Sequence, residues 1–145
     1  GPWSVRRSRR RRALRNPFWS LGVNSREYYA AVQTAILAVP HIIQSDISFD
    51  EVSEEECYIR GVLTLNGGVE LHIADYVVTE PEFKRLKYRF HLQTSDNKMI
   101  ARWDNAPHHP EIKTHPDHLH VGEKIKENPP TDIPQVLAAV LSFIE

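Results

Sequence analysis

Apolar side chains follow a helical spacing at both ends of the chain. The first run starts after the polar pair Asn24-Ser25 and stops at Pro40, with apolar positions at Tyr28, Tyr29, Val32, Ala35, Ile36 and Val39. The second follows Thr131-Asp132, has Pro134 in its first turn, and places its apolar stripe at Ile133, Val136, Leu137, Val140, Leu141 and Ile144. Because the apolar stripe of a helix is buried against a core, we predict two core-facing helices.

Between these helices the spacing changes to the alternation typical of half-buried strands. Residues 86–92 alternate apolar Leu86, Tyr88, Phe90 and Leu92 with polar side chains, and residues 99–104 alternate Met99, Ala101 and Trp103 with Ile100, Arg102 and Asp104. The run Asn66-Gly67-Gly68 is a hairpin signal, since these residues accept positive φ. We predict an α+β fold, an antiparallel five-stranded meander with an N-terminal and a C-terminal helix packed on one face.

Charge divides the chain into a basic start and an acidic body. Seven of the 18 lysines and arginines lie in the first 25 residues, which contain no acid, so the rest of the chain carries 11 basic against 19 acidic residues. We predict a disordered basic arm over residues 1–24 and a single α+β domain over residues 25–145. The start Gly1-Pro2 is typical of a protease-cleavage remnant, so we expect part of the arm not to be native.

Composition excludes several classes of protein. The single cysteine, Cys57, rules out an intrachain disulfide and a thiolate-rich zinc site, and it fits a reducing cytoplasm. No apolar stretch reaches the length of a membrane span, and the basic start is not followed by the apolar run of a signal peptide. The sequence therefore predicts a protein that does not contact a membrane, and its composition is compatible with the cytoplasm.

The candidate chemistry is concentrated in residues 102–122, RWDNAPHHPEIKTHPDHLHVG. This segment holds five of the eight histidines, namely His108, His109, His115, His118 and His120. Its three prolines restrict the backbone and remove hydrogen-bond donors, so we expect a stiff, irregular loop. Histidine ionises near neutral pH and can move protons or bind metals, so a functional histidine-rich loop is favoured over a merely solvated one.

One chemistry that fits these residues is metal-free cleavage of RNA. One imidazole would take the 2′-hydroxyl proton, and a second acid would protonate the leaving oxygen. By strand alternation, Arg89, His91, Arg102 and Asp104 should share the open face of the sheet close to the histidine loop. A guanidinium or ammonium group there, including Lys113, would stabilise the charged transition state.

Two other chemistries stay open on the residues alone. A divalent metal could be held by His118 and His120, which point to one side of an extended segment, with His115 or Asp104 as a third ligand. A purely binding role could use histidine and arginine to stack on the bases of a single strand. The acidic body argues against strong nonspecific attraction to phosphates.

Three motifs in a fixed order carry a resemblance to a known family. They are YRFHLQ at 88–93, RWDNAPHHPE at 102–111 and HPDHLHVG at 115–122, and the resemblance runs from Tyr29 to Ile144, about four fifths of the chain. The chain resembles the TumE-type toxins of type II toxin-antitoxin systems. The resemblance implies a small cytoplasmic prokaryotic protein with a growth-inhibiting activity on RNA, neutralised by a helix-turn-helix antitoxin. Matched motif by motif, the resemblance also implies functional roles for the following residues: Tyr88, His91, Arg102, Asp104, Asn105, His108, His109, His118 and His120.

The residues and the resemblance lead to one hypothesis. We expect the toxin-like component of a toxin-antitoxin pair that acts on RNA through its histidine loop, as a ribonuclease if it is an enzyme, and without a cofactor. The expected catalytic residues are His91, Arg102, Asp104, His108, His109, His118 and His120. The expected nucleic-acid-binding residues are Tyr88, Arg89, Asn105 and Lys113.

Several alternatives accompany this hypothesis. The first is a non-catalytic protein that binds single-stranded nucleic acid through Tyr58, Tyr76, Trp103 and the basic arm. The second is a metal-dependent hydrolase with a divalent ion at His115, His118 and His120. A homodimer is also left open.

Overall fold

The computed structural model describes residues 22–144, so almost all of the predicted basic arm lies outside the described residues. Helix α1 spans Ser25–Leu37, and the C-terminal helix consists of α2 (Ile133–Ala139) and α3 (Leu141–Ile144). The strands are β1 (Ile42–Ser53), β2 (Glu56–Leu65), β3 (Glu70–Val78), β4 (Lys84–Gln93), β5 (Met99–Asp104), β6 (His118–Val121) and β7 (Lys124–Glu127).

The sheet is an antiparallel meander in which the seven strands lie side by side in chain order. The α+β class agrees with the sequence, but the prediction of five strands was wrong. Strands β6 and β7 lie within and just after the segment expected to be an irregular loop, and they have only four residues each. They form because β6 pairs with the edge of β5, and Gly122, at φ 59°, turns the chain back into β7.

The helices cover one face of the sheet and build the core with it. Tyr28, Val32 and Ile36 of α1 and Ile133, Val136 and Leu137 of α2 are buried against side chains from β2 to β5. Trp103 on β5 packs edge-on against Phe143, with ring centroids 5.7 Å apart. The alternate side chains of the strands therefore point away from the helices and form an open, polar face.

Helices α1 and α2 begin at the expected N-cap residues, Asn24 and Asp132. The Asn24 side chain accepts from the Glu27 N–H at 2.9 Å, and Glu27 accepts from the Asn24 N–H at 3.0 Å. Asp132 and Gln135 make the same reciprocal pair at 2.7 and 2.9 Å. Each reciprocal pair is a capping box, and it satisfies two N–H groups that a helix start would otherwise leave unpaired.

Strand β4 departs from the alternation that the sequence suggests. The register shifts between Tyr76 and Val77, which pair with Lys87 and Arg85, so Leu86 bulges out and is 49% exposed instead of core-facing. The bulge turns Arg85 inward, where its Nε donates to the buried Asp75 at 2.6 Å and its Nη2 donates to the Tyr28 hydroxyl at 2.9 Å. A paired charge is thereby buried beneath α1.

Among residues 22–144, no helix combines the length and the apolar character needed to cross a membrane.

The pH dependence of stability should reveal the cost of burying Asp132. Burial raises the pKa of this N-cap carboxyl, and the hydrogen bond from the Gln135 N–H lowers it in part. A raised folded-state pKa stabilises the fold below the unfolded pKa and loses that stabilisation as pH rises through the folded value. Asp132→Asn keeps a cap acceptor without a charge, so its stability relative to the wild type should rise from about pH 4 to about pH 7.

Urea unfolding of both proteins across this pH range measures the difference. Asp132→Ala is the matched control, because it removes the charge and the cap together and should be about 1 kcal/mol less stable than Asp132→Asn at every pH. A pH-independent difference between wild type and Asp132→Asn would mean that burial does not perturb this carboxyl.

Candidate active site on the open face of the sheet

The register of the sheet aligns polar side chains in two neighbouring rows on the open face. One row runs from His72 through His91 and Arg102 to His120. The other runs from Ala74 through Arg89 and Asp104 to His118. Imidazoles, guanidinium groups and a carboxylate from β3 to β6 therefore lie side by side, because residues paired across antiparallel strands point to the same face.

A cavity of about 290 Å³ opens where these rows meet the loop after β5. Its polar lining comes from β4, β5, β6 and the loop, namely Lys87, Arg89, Arg102, Asp104, Asn105, His108, His109, His118 and His120. Of the predicted catalytic residues, Arg102, Asp104, His109, His118 and His120 are in mutual proximity here. His108 lines the same cavity, but its side chain is exposed.

Three histidines and one carboxylate form the centre of this cavity, and we call them the imidazole cluster: Asp104, His109, His118 and His120. One ring nitrogen from each histidine lies within 4.8 Å of the others. The Nε2 atoms of His118 and His120 are 3.0 Å apart, and His118 Nε2 is also 3.0 Å from Asp104 Oδ1. The second carboxylate oxygen, Oδ2, lies 3.7 Å from His120 Nε2.

The tautomer of His118 follows from its outer hydrogen bond. Its Nδ1 lies 2.8 Å from the backbone oxygen of Pro116, and a carbonyl oxygen can only accept, so Nδ1 carries a proton. In the neutral ring, Nε2 then presents a lone pair to Asp104 and His120. Such a pair of nitrogen and oxygen acceptors at 3.0 Å needs a proton or a cation between them.

The other members of the cluster are also oriented by outer contacts. Asp104 Oδ1 accepts from the Ala106 N–H at 2.9 Å, and Arg102 Nε lies 3.9 Å from Asp104 Oδ2. His109 Nδ1 faces Glu111 Oε1 at 3.4 Å, which leaves Nε2 as its free ring nitrogen. Burial lowers the pKa of His120, and Asp104 opposes this shift, so His120 favours the neutral ring.

The loop that supplies His109 is tied to the sheet. The Thr114 hydroxyl donates to Asp117 O at 2.6 Å and accepts from the Asn128 N–H at 2.9 Å. The Tyr88 hydroxyl donates to Asp117 Oδ1 at 2.7 Å. The loop is thus irregular but fixed at several points, as expected for a segment that presents reactive groups.

His91 lies in a neighbouring cavity of about 260 Å³ instead of the central one. The two cavities share Arg89, and His91 is the cross-strand partner of Arg102. Burial lowers the pKa of His91, and the charges of Arg102 and Arg89 lower it further. A neutral imidazole is therefore available one strand away from the imidazole cluster.

Some predicted site residues have structural roles or lie away from the cavity. The Tyr88 ring is buried in the core and only its hydroxyl reaches the loop. Asn105 accepts from the Tyr88 N–H at 3.0 Å and donates to Leu86 O at 3.2 Å, so its side chain continues the β4–β5 ladder. Lys113 is exposed and does not line the cavity. His115 is also exposed, and His109, not His115, joins His118 and His120.

Two residues that line these cavities were not among the predicted site residues. Lys87, an outward-pointing residue of β4, lines the central cavity. His72 lines the second cavity, 6.3 Å from His91 between ring centroids. Alternation predicts that His72 points outward, but only the β3–β4 register places it beside His91.

The arrangement is suited to two kinds of chemistry. Neutral imidazoles close to a carboxylate can transfer protons at neutral pH. Nitrogen and carboxylate ligands converging on one point can also hold a divalent ion. Guanidinium groups beside either centre can bind an anionic substrate.

Comparison with known proteins decides the family. The family described as toxin TumE matches residues 32–145, which include all seven strands and the C-terminal helix. The chain belongs to the TumE toxin family. No curated protein and no solved structure matches it. Membership in a toxin family implies, in general terms, an antitoxin partner.

The structural role of Asn105 in this toxin can be tested by removing its side chain. Asn105→Ala leaves the Tyr88 N–H and Leu86 O without their partner, so we expect a loss of about 1–3 kcal/mol in the free energy of unfolding. Chemical denaturation monitored by tryptophan fluorescence measures it.

The exposed neighbour His108 provides the matched control, since His108→Ala should change stability by less than about 0.5 kcal/mol. If Asn105→Ala unfolded at the wild-type denaturant concentration, the side chain would be free to serve as a ligand-binding group instead.

Proposed function

We propose that this toxin cleaves RNA at the open face of its sheet. The observation that carries the proposal is the position of the imidazole cluster beside Lys87, Arg89 and Arg102 around one cavity. Proton-transfer groups and anion-binding groups thereby converge, as phosphodiester cleavage requires. The predicted roles of His91 and of the residues that line the cavity are part of this proposal, whereas Lys113, which does not line the cavity, is left out of it.

The cationic side chains around the cavity are suited to a phosphate group. Within residues 22–144, Lys87 and Arg89 take part in no ion pair, and both are exposed. Arg102 is partly neutralised by Asp104. A guanidinium can hold two phosphate oxygens at once, so Arg89 is the best candidate for the primary phosphate contact.

RNA suits this site because it contains its own nucleophile. The imidazole cluster would take the proton of the 2′-hydroxyl through a ring nitrogen. The 2′-oxygen would attack the phosphorus, and the bond to the leaving 5′-oxygen would break. His91, one strand away, would return a proton to that oxygen from its imidazolium form, a minor population at neutral pH that the lowered pKa makes a stronger acid, which balances the reaction.

A second candidate function is non-catalytic binding of a single strand. Tyr58 and Tyr76 lie on the open face, with ring centroids 5.6 Å apart, and Arg60 lies 4.9 Å from the Tyr58 centroid. Aromatic and guanidinium surfaces of this kind can stack on bases. Trp103, the third expected contact, is 2% exposed and packs in the core, so it is excluded from this role.

Family membership implies an antitoxin partner, and the resemblance leads us to more specific expectations about this partner and its setting. We expect the antitoxin to be a helix-turn-helix protein encoded beside the toxin in a prokaryote, and the toxin to act in the cytoplasm. A homodimer stays a prediction.

Induced expression tests the proposal in cells. The wild type should arrest growth, and co-expression of the neighbouring gene product should relieve the arrest. Arg89→Ala should weaken the arrest and lower cleavage of labelled RNA in vitro about 10²-fold, because a phosphate contact is lost at the transition state. His91→Ala should lower cleavage about 10²-fold or more, because it removes a proton donor.

Lys113→Ala is the matched control, since it removes an exposed cation from the same region without touching the cavity. It should arrest growth like the wild type. If growth arrest and RNA cleavage survive both Arg89→Ala and His91→Ala, the assignment of the site is wrong. Retention of RNA without cleavage, lost in high salt, would support the binding function instead.

A further inference from the structure

The imidazole cluster has the geometry of a metal site. The ring planes of His109, His118 and His120 are steeply inclined to one another, at 71° to 76°. Because the lone pair of an imidazole nitrogen lies in the ring plane, inclined rings can direct their nitrogens at one point from different sides. Stacked rings could not.

The distances between the nitrogens agree with this geometry. Two nitrogens bound to one tetrahedral ion, each at about 2.0–2.1 Å, lie about 3.3 Å apart. The His118 and His120 Nε2 atoms are 3.0 Å apart, and all three ligand nitrogens lie within 4.8 Å of one another. The His118–His120 pair is thus close to the tetrahedral spacing, and the remaining nitrogen must move inward by up to about 1.5 Å to close the set around an ion.

Hydrogen bonding inside the cluster is incomplete without a cation. His118 Nε2 faces two groups at 3.0 Å, Asp104 Oδ1 and His120 Nε2. One proton on Nε2 cannot be directed at both. His118 is 2% exposed, so water has little access to it. A cation bound by both nitrogens and the carboxylate satisfies all of these contacts together.

The surroundings of the cluster have the form of a second coordination shell. His118 donates its Nδ1–H to Pro116 O, His109 Nδ1 faces Glu111, and Asp104 accepts from the Ala106 N–H. Metal-binding histidines are usually held in this way by a carbonyl or a carboxylate on the opposite ring nitrogen. The free nitrogens are thereby aimed inward.

We propose that His109, His118 and His120, with Asp104, bind one first-row divalent transition-metal ion, of which Zn²⁺ fits best. Three imidazoles and one carboxylate suit zinc and its neighbours better than Mg²⁺ or Ca²⁺, which prefer oxygen ligands. One side of the cluster opens into the 290 Å³ cavity, next to Arg89 and Arg102. With four protein ligands, the ion would take water or a phosphate oxygen from this side as a fifth ligand, by expanding its coordination to five.

The inference about binding is independent of RNA. Only its consequence, that cleavage requires the ion, rests on the proposed function. If both hold, the three histidines and Asp104 would hold the ion, which would lower the pKa of a nearby water so that this water supplies the base for the 2′-hydroxyl proton.

Metal binding is tested on the whole purified protein without RNA. Protein stripped by a chelator and dialysed should bind one equivalent of Zn²⁺ in a calorimetric titration, and elemental analysis after gel filtration should find the same ratio. His109→Ala and His120→Ala should each weaken binding about 100-fold or more. Asp104→Asn should weaken it as well, and Co²⁺ should give the intense visible bands of a four- or five-coordinate site.

The controls are His108→Ala and His115→Ala, which remove exposed histidines of the same loop and should leave the affinity unchanged. Circular dichroism of every variant checks the fold, and the buried His118 is left intact for this reason. Absence of saturable binding by the wild type overturns the inference. Equal binding by the His109, His120 and His115 variants overturns it too, because it would show adventitious uptake.

RNA cleavage separates this inference from the proposed function. Cleavage by metal-free protein in excess chelator, with no uptake of Zn²⁺, overturns the metal site and leaves the RNA-cleaving function standing. Stoichiometric Zn²⁺ binding without any cleavage supports the metal site and removes the proposed function. Cleavage that is lost in chelator and restored by Zn²⁺ supports both.

Discussion

The pairing of β6 with β5 is the interaction on which the site depends. It sets His118 opposite Asp104 and His120 opposite Arg102, although more than a dozen residues separate the partners along the chain. Backbone hydrogen bonds, which hold strands at a fixed spacing, here determine the distances between reactive side chains. Without this pairing, the two histidines would be separate groups on a polar segment, and His109 would not lie beside two other imidazoles.

The rest of the fold leaves one face of the sheet open, so the side chains that this pairing aligns are accessible from solvent. Both helices pack on the opposite face, where the apolar side chains of β2 to β5 are buried. The Asp75–Arg85 ion pair is buried on the helix side too, beneath Tyr28. The β4 bulge that turns Arg85 inward is stabilised from the other side by Asn105, so core and site share one structural feature.

The charge distribution gives an acidic body a local basic site. Acids outnumber bases over most of the chain, yet Lys87, Arg89 and Arg102 are gathered at one cavity. Local potential at a concave site depends on the nearby charges more than on the net charge, since salt screens the distant ones. If the toxin acts on RNA as proposed, a local basic site would favour selectivity, because a uniformly basic surface would bind phosphates everywhere.

What could be known from the sequence was local. Helix caps, the helical stripes and the outward direction of Arg102, Asp104 and His91 follow from periodicities of 3.6 and 2, which each residue obeys independently of distant partners. The residue types in the histidine segment likewise indicated proton transfer or metal binding. Only the tertiary structure showed that His118–Val121 forms a sixth strand and that Leu86 bulges outward. It also showed that His109, and not His115, completes the imidazole cluster. These outcomes depend on hydrogen bonds to another strand and on the path of a loop, and neither is encoded in the spacing of neighbouring residues.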